Sequence, residues 1–244
     1  MVSATSVLFA ALAAVVSAAP TCKKVVTPTL PQTGGPTQLS PPAASLVLKK
    51  IAVGHGIQNY TCSSTAANAS ATGALAVLYD VTSFYPGTEK TGISQPVWDH
   101  LPSDLLWRTP LPLNKLSGSQ FGADLTNPFP APADLRLPGL STLKFLGHHF
   151  FDSAGVPTFD LSAAGLKAVV KKTEQVDAPS NADKGLTGSG AVQWLQLIDN
   201  GAGKSVGVSV VYRVLTAGGN PEACSVAGAG SQSVPYAAYY WFFG

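Results

Sequence analysis

Four histidines, His55, His100, His148 and His149, are the residues of this sequence best suited to hold a metal ion. Their spacing matches no compact ligand motif, because there is no H-E-x-x-H and no paired-cysteine zinc pattern. His148 and His149 are adjacent, so on a strand their side chains fall on opposite faces. A metal site therefore needs one of them joined across strands by His55 or Asp160. Without such a site no cofactor is expected. The simpler expectation is that one imidazole binds polar groups in the core and the other meets solvent.

Paired carboxylates can hydrolyse glycans, one as acid and one as base or nucleophile. Asp152 and Asp160 flank a predicted hairpin, but Asp152 beside Ser153 and Gly155 reads more simply as a turn residue. Gly203-Lys204-Ser205-Val206-Gly207 has the form of a nucleophile elbow, yet alternating strand residues follow where a helix is required. Gly54-His55-Gly56 begins like a dinucleotide fingerprint, but Asn59 stands at the third glycine and a strand follows. The two glycines read as a kink between two strands. Gly201 to Ser205 imitates the end of a phosphate loop and reads as a hairpin turn, so no nucleotide partner is expected.

Aromatic residues crowd VPYAAYYWFF (234–243). Alternation puts Tyr236, Tyr240 and Phe242 on one face and Tyr239, Trp241 and Phe243 on the other. One face must be core. If the other is open, Tyr239 and Trp241 can stack on sugar rings; the competing reading is a strand covered on both faces.

The elements that position these residues read as strands. They are SLVLKKIAVGHGIQNYTC (45–62, two runs broken at the glycines), 73–82, 143–152, 156–162, 166–176 (helix or strand, its Val and Lys pattern leaning to strand), 191–199, 206–216 and 234–243. Residues 83–140 hold nine prolines and one helix-like piece near 99–107, with Trp98 and Trp107 expected to anchor this loop-rich insertion to the sheet. Strands without interleaved helices predict an all-β fold, an antiparallel β-sandwich or jelly roll in one domain over 45–244. Composition agrees: charged residues are 11%, with 24 Gly and 19 Pro, which suits turns better than wet helices. A net charge of +2 leaves no basic stripe for nucleic acid.

Residues 1–19 combine an apolar run from Val7 to Val16 with small residues to Ala19, the pattern of a secretory signal peptide cleaved near Ala18 or Ala19. No later segment predicts a membrane span. Residues 20–44, with six prolines, read as an arm or linker without packed structure. Secretion gives meaning to two sequons, Asn59-Tyr60-Thr61 and Asn68-Ala69-Ser70. Asn68 is the more accessible acceptor and Asn59 lies in a strand. It also makes a disulfide expected. Three cysteines allow three pairings. Cys62–Cys224 would tie early strands to late ones and leave Cys22 in the arm; a bond from Cys22 to either is the alternative.

GHGIQNYTC (54–62), LGHHFFDSAGVPTFDL (146–161), AVQWLQL (191–197), VYRVLTAGGNPEAC (211–224) and VPYAAYYWFF (234–243), in this order, resemble a family of secreted fungal proteins with bacterial relatives, domain of unknown function 3455. The resemblance implies a secreted all-β domain and no established catalysis. It aligns Cys62 and Cys224 with two recurring cysteines, which supports that pairing. Some fungal members carry a malate dehydrogenase label, for which this sequence offers no dinucleotide site.

The expected function is a secreted protein acting outside the cell or at its wall. It would be a non-catalytic module binding cell-wall polysaccharide or another organism's surface. The alternative is a metal-dependent or hydrolytic enzyme using the 146–161 hairpin. A binding module needs an exposed aromatic row, and an enzyme needs a cleft where histidine and carboxylate converge.

Overall fold

A computed structural model describes residues 1–2 and 26–244. The expected signal peptide and Cys22 lie outside the described residues, apart from Met1 and Val2. In chain order the elements are β1 (Leu48–Cys62), β2 (Ser70–Asp80), α1 (Gln95–Arg108), β3 (Lys144–Phe151), β4 (Pro157–Leu161), β5 (Leu166–Val176), β6 (Trp194–Asp199), β7 (Val210–Gly218), α2 (Cys224–Ala227) and β8 (Gly230–Phe243).

Each strand pairs antiparallel with the next, and β8 returns to pair with β1 from Leu48↔Phe243 to Cys62↔Gly230. The sheet is thus a closed barrel of eight strands in simple up-and-down order. The all-β, antiparallel expectation holds, but two facing sheets do not form. A sandwich leaves the edges of its two sheets open. Here the long β1–β8 ladder removes them.

Alternation along each strand sorts side chains into two cores. The inner one fills the barrel with Ala52, Leu78, Leu146, Phe159, Leu161, Val170, Val211, Tyr236, Tyr240 and Phe242. The outer one lies between the wall and its covering segments, with Val53, Tyr79, Tyr212, Val214, Tyr239, Trp241 and Phe243 packed against Trp98, Leu101 and Leu105 of α1. The last strand is buried on both faces because barrel closure covers one and the 83–140 insertion the other.

β1 runs unbroken through Gly54-His55-Gly56, so the expected kink is absent. The glycines have a packing reason instead. A Cβ on Gly54 would lie 2.7 Å from a ring carbon of Tyr240, so that position admits the ring into the barrel.

α1 docks by a device written in its sequence. Pro102 lies inside the helix and has no N–H to give the Trp98 carbonyl one turn back. That carbonyl instead accepts the Tyr239 hydroxyl at 2.8 Å, and the Trp98 indole stacks on the Tyr239 ring with centroids 4.4 Å apart. Trp98 therefore anchors the insertion as expected. Trp107 does not: it is exposed, and its indole N–H donates to Asp183 Oδ2 at 2.7 Å.

Residues 26–44 correct the expectation of an unpacked arm. They form no helix or strand, yet Leu30 and Leu39 pack on the outer core. The Ser40 carbonyl accepts the Tyr212 hydroxyl at 2.8 Å, and the Ser40 N–H donates to Glu174 Oε2 at 2.8 Å. Cys62 and Cys224 form a disulfide across a separation of 162 residues, tying the end of β1 to α2.

Candidate functional site

The sequence-derived candidates do not converge. In register, His55 faces Val77, Val77 faces His148, and His148 faces Asp160. His55 and His148 sit two strands apart, about 10 Å between backbones at the usual strand spacing. They point outward with Asp160, whereas His149 points into the barrel. Among the described residues no group of three or more His, Cys, Asp or Glu can hold a metal ion. The set His55, His148, His149 and Asp160 therefore does not come together: the barrel wall separates His149 from the other three, and His55 sits two strands from His148.

Each histidine has a local task. The Leu105 carbonyl takes the hydroxyl proton of Thr109 (2.6 Å), so His55 Nδ1–H donates to Thr109 Oγ1 (3.1 Å), joining β1 to the end of α1. Burial lowers its pKa to about 4. His148 is half-buried and stacks on Phe129 with centroids 4.0 Å apart. Burial lowers its pKa, partly offset by the Asp160 charge. His149 Nδ1–H donates to the Thr158 carbonyl at 2.9 Å, and its ring stacks on Phe159 at 4.0 Å. Burial takes its pKa down to about 4, with the Arg213 charge acting the same way.

The aromatic expectation is also corrected. Tyr239 and Trp241 are 0% exposed, because α1 covers their face of β8. No sugar ring can reach them. Asp152 is the turn residue expected, its Oδ1 accepting the Ala154 and Val156 N–H groups. Ser205 is a tie between strands, donating to Asp199 Oδ1 at 2.6 Å and accepting from Val169 N–H. Asn68 is exposed, whereas Asn59 is half-buried and accepts the Ser233 hydroxyl at 2.8 Å.

A site that sequence reasoning missed lies at one end of the barrel. A cavity of about 780 Å³ opens between the ends of β1, β3, β5, β6 and β7 and the segment 177–193. Its walls are apolar: Phe151, Pro157, Phe159, Val192, Leu195 and Leu197. Gln58, Tyr60, His149, Arg213 and Tyr240 line it as well, with Lys172 and Lys184 exposed at its rim beside Asp177.

Arg213 is the centre of this group. It is 9% exposed, faces Leu195 and Tyr240 in register, and joins no ion pair among the described residues. Its Nε and Nη2 donate to the Gln193 carbonyl at 3.1 and 2.9 Å, and the guanidinium also contacts the Tyr240 hydroxyl, which leaves part of its five N–H donors free. Its charge is felt by Tyr60, His149, Tyr236 and Tyr240. Tyr236 and Tyr240 share a hydrogen bond of 2.8 Å between hydroxyls; burial raises both pKa values, so both stay neutral phenols. Gln58 is 8% exposed and its Nε2 is buried, with only a weak contact to the Tyr236 hydroxyl. Tyr60, by contrast, is committed, donating to the Gly219 carbonyl at 2.8 Å.

One signal in the sequence marked this place: an arginine at a strand position whose neighbours two away, Val211 and Leu215, are apolar. Nothing in β7 alone says that Gln58 and His149 lie beside it, because the barrel closure brings them there.

A family model described as "Protein of unknown function (DUF3455)" matches residues 42–244, the whole barrel with the end of the arm. No curated protein and no solved structure matches the chain.

Proposed function

The chain belongs to the DUF3455 family, and from that premise we propose a secreted, non-catalytic binding protein, acting outside the cell or at its wall, that holds a small molecule in the mouth of its barrel. The observation that carries the reading is the cavity itself: an apolar chamber with a few convergent buried polar groups is the usual form of a small-molecule site. Catalysis has less support. His149 is the one histidine in the chamber, its pKa is lowered to about 4, and no carboxylate orients its ring. A disulfide and an exposed sequon at Asn68 are compatible with life outside the cell.

The test is titration of the intact protein with Nile red, a neutral solvent-sensitive dye. One saturable site with blue-shifted emission is expected. Replacement Leu197→Trp, which fills the chamber, should weaken binding at least tenfold. Absence of saturable binding would overturn the reading. Retention on insoluble chitin or β-glucan, unchanged in Leu197→Trp, would move it to polymer binding on another face.

A further inference from the structure

The cavity presents an unusual combination of a buried, unpaired cation and apolar walls. A guanidinium stays protonated at any ordinary pH, so Arg213 carries its charge even where it is buried. Buried charges normally have a partner, because desolvation of an isolated ion is expensive. Here the neighbours offer only a carbonyl, neutral phenols and a neutral imidazole. The Gln58 amide N–H is a second buried donor, with only a weak contact to the Tyr236 hydroxyl. One uncompensated charge and one weakly held amide donor therefore lie in one chamber, and an anionic acceptor would serve both.

The walls set the rest of the molecule. Phe151, Phe159, Leu195 and Leu197 suit an aliphatic or aromatic body. The single deep cation suits a head with one negative charge; the rim carries Lys172 and Lys184 against one carboxylate, Asp177, a positive balance that favours the approach of an anion. A carboxylate also matches the flat, two-pronged edge of a guanidinium.

We propose that the cavity binds a monocarboxylic acid with an apolar body, its carboxylate seated on Arg213 and Gln58. This rests on the cavity reading above and adds the ligand class to it.

The test is displacement of Nile red from the full chain by dodecanoic acid and by dodecan-1-ol, which share a chain and differ in head charge. The acid should displace the dye at a concentration at least tenfold lower than the alcohol. In Arg213→Gln that preference should vanish, and in Gln58→Leu it should shrink severalfold. Arg213→Lys keeps the charge but loses the fork, and should retain part of the preference. The wild-type comparison needs no variant, so a misfolded Arg213→Gln leaves the proposal open to refutation. Equal displacement by acid and alcohol from wild type would overturn the carboxylate assignment and leave the cavity reading standing. A failure of Nile red to bind would overturn both.

Discussion

At position 149 the histidine is stacked, hydrogen-bonded and uncharged, and it costs the protein something in acid. In the folded chain its pKa is lowered to about 4, and so is that of His55, whereas an unfolded histidine titrates near 6.5. Between those values the unfolded chain binds more protons than the folded one, so stability falls as pH drops from about 6.5 to 4 and is flat above. Each histidine accounts for roughly 3 kcal/mol across that window at most. Urea midpoints measured at pH 7.5 and 4.5 should differ less in His149→Phe than in wild type. An equal difference would mean that this imidazole is already protonated in the fold. The opposite orientation of His148 and His149 was legible in the sequence, because adjacent strand residues alternate. Their tasks were not, since the Thr158 carbonyl and the Phe129 ring are brought to them by β4 and by a loop.

Among the elements, α1 shows how one missing donor shapes a contact. The sequence indicated a helix near 99–107, and the structure extends it to Gln95–Arg108, with Pro96 tolerated in the first turn. Pro102 frees the Trp98 carbonyl, and Tyr239 uses it. Tyr239→Phe keeps the ring stacked but leaves that carbonyl buried and unmet. Stability should fall by about 1–3 kcal/mol, seen as a lower urea midpoint with an unchanged slope. In a Pro102→Ala background the helix supplies its own N–H, and the same replacement should cost less. Equal costs in both backgrounds would separate Pro102 from the contact. Strand positions were legible because short apolar runs bounded by turns mark them. The arm was not legible: its prolines and polar residues look unstructured, and its partners, among them Tyr212, Gln196 and Glu174, come together only on the finished wall.

For the molecule as a whole, all-β and antiparallel were readable from composition and hairpin signals, while barrel against sandwich was not. That choice depends on whether the first and last strands meet. Residues 48–62 and 230–243 carry no local mark of their pairing beyond apolar content. The disulfide strengthens this same seam. Removing it with Cys62→Ser and Cys224→Ser releases a loop of 162 residues in the unfolded chain and should cost about 2–5 kcal/mol. The melting temperature should fall correspondingly, and reductant should then have no further effect. A double variant as stable as wild type would show that the β1–β8 ladder holds the seam unaided.

The seam also imposes an order in time. β1 is the first of the eight strands to leave the ribosome, and β8 is the last. Until β8 arrives, one long side of β1 has its backbone donors and acceptors unpaired, and β7 has only β6 for company. Pairing of such distant segments is slow, and an unpaired side can recruit a strand from another chain. The nascent protein, more than the finished one, is therefore the form that offers an open edge to other chains.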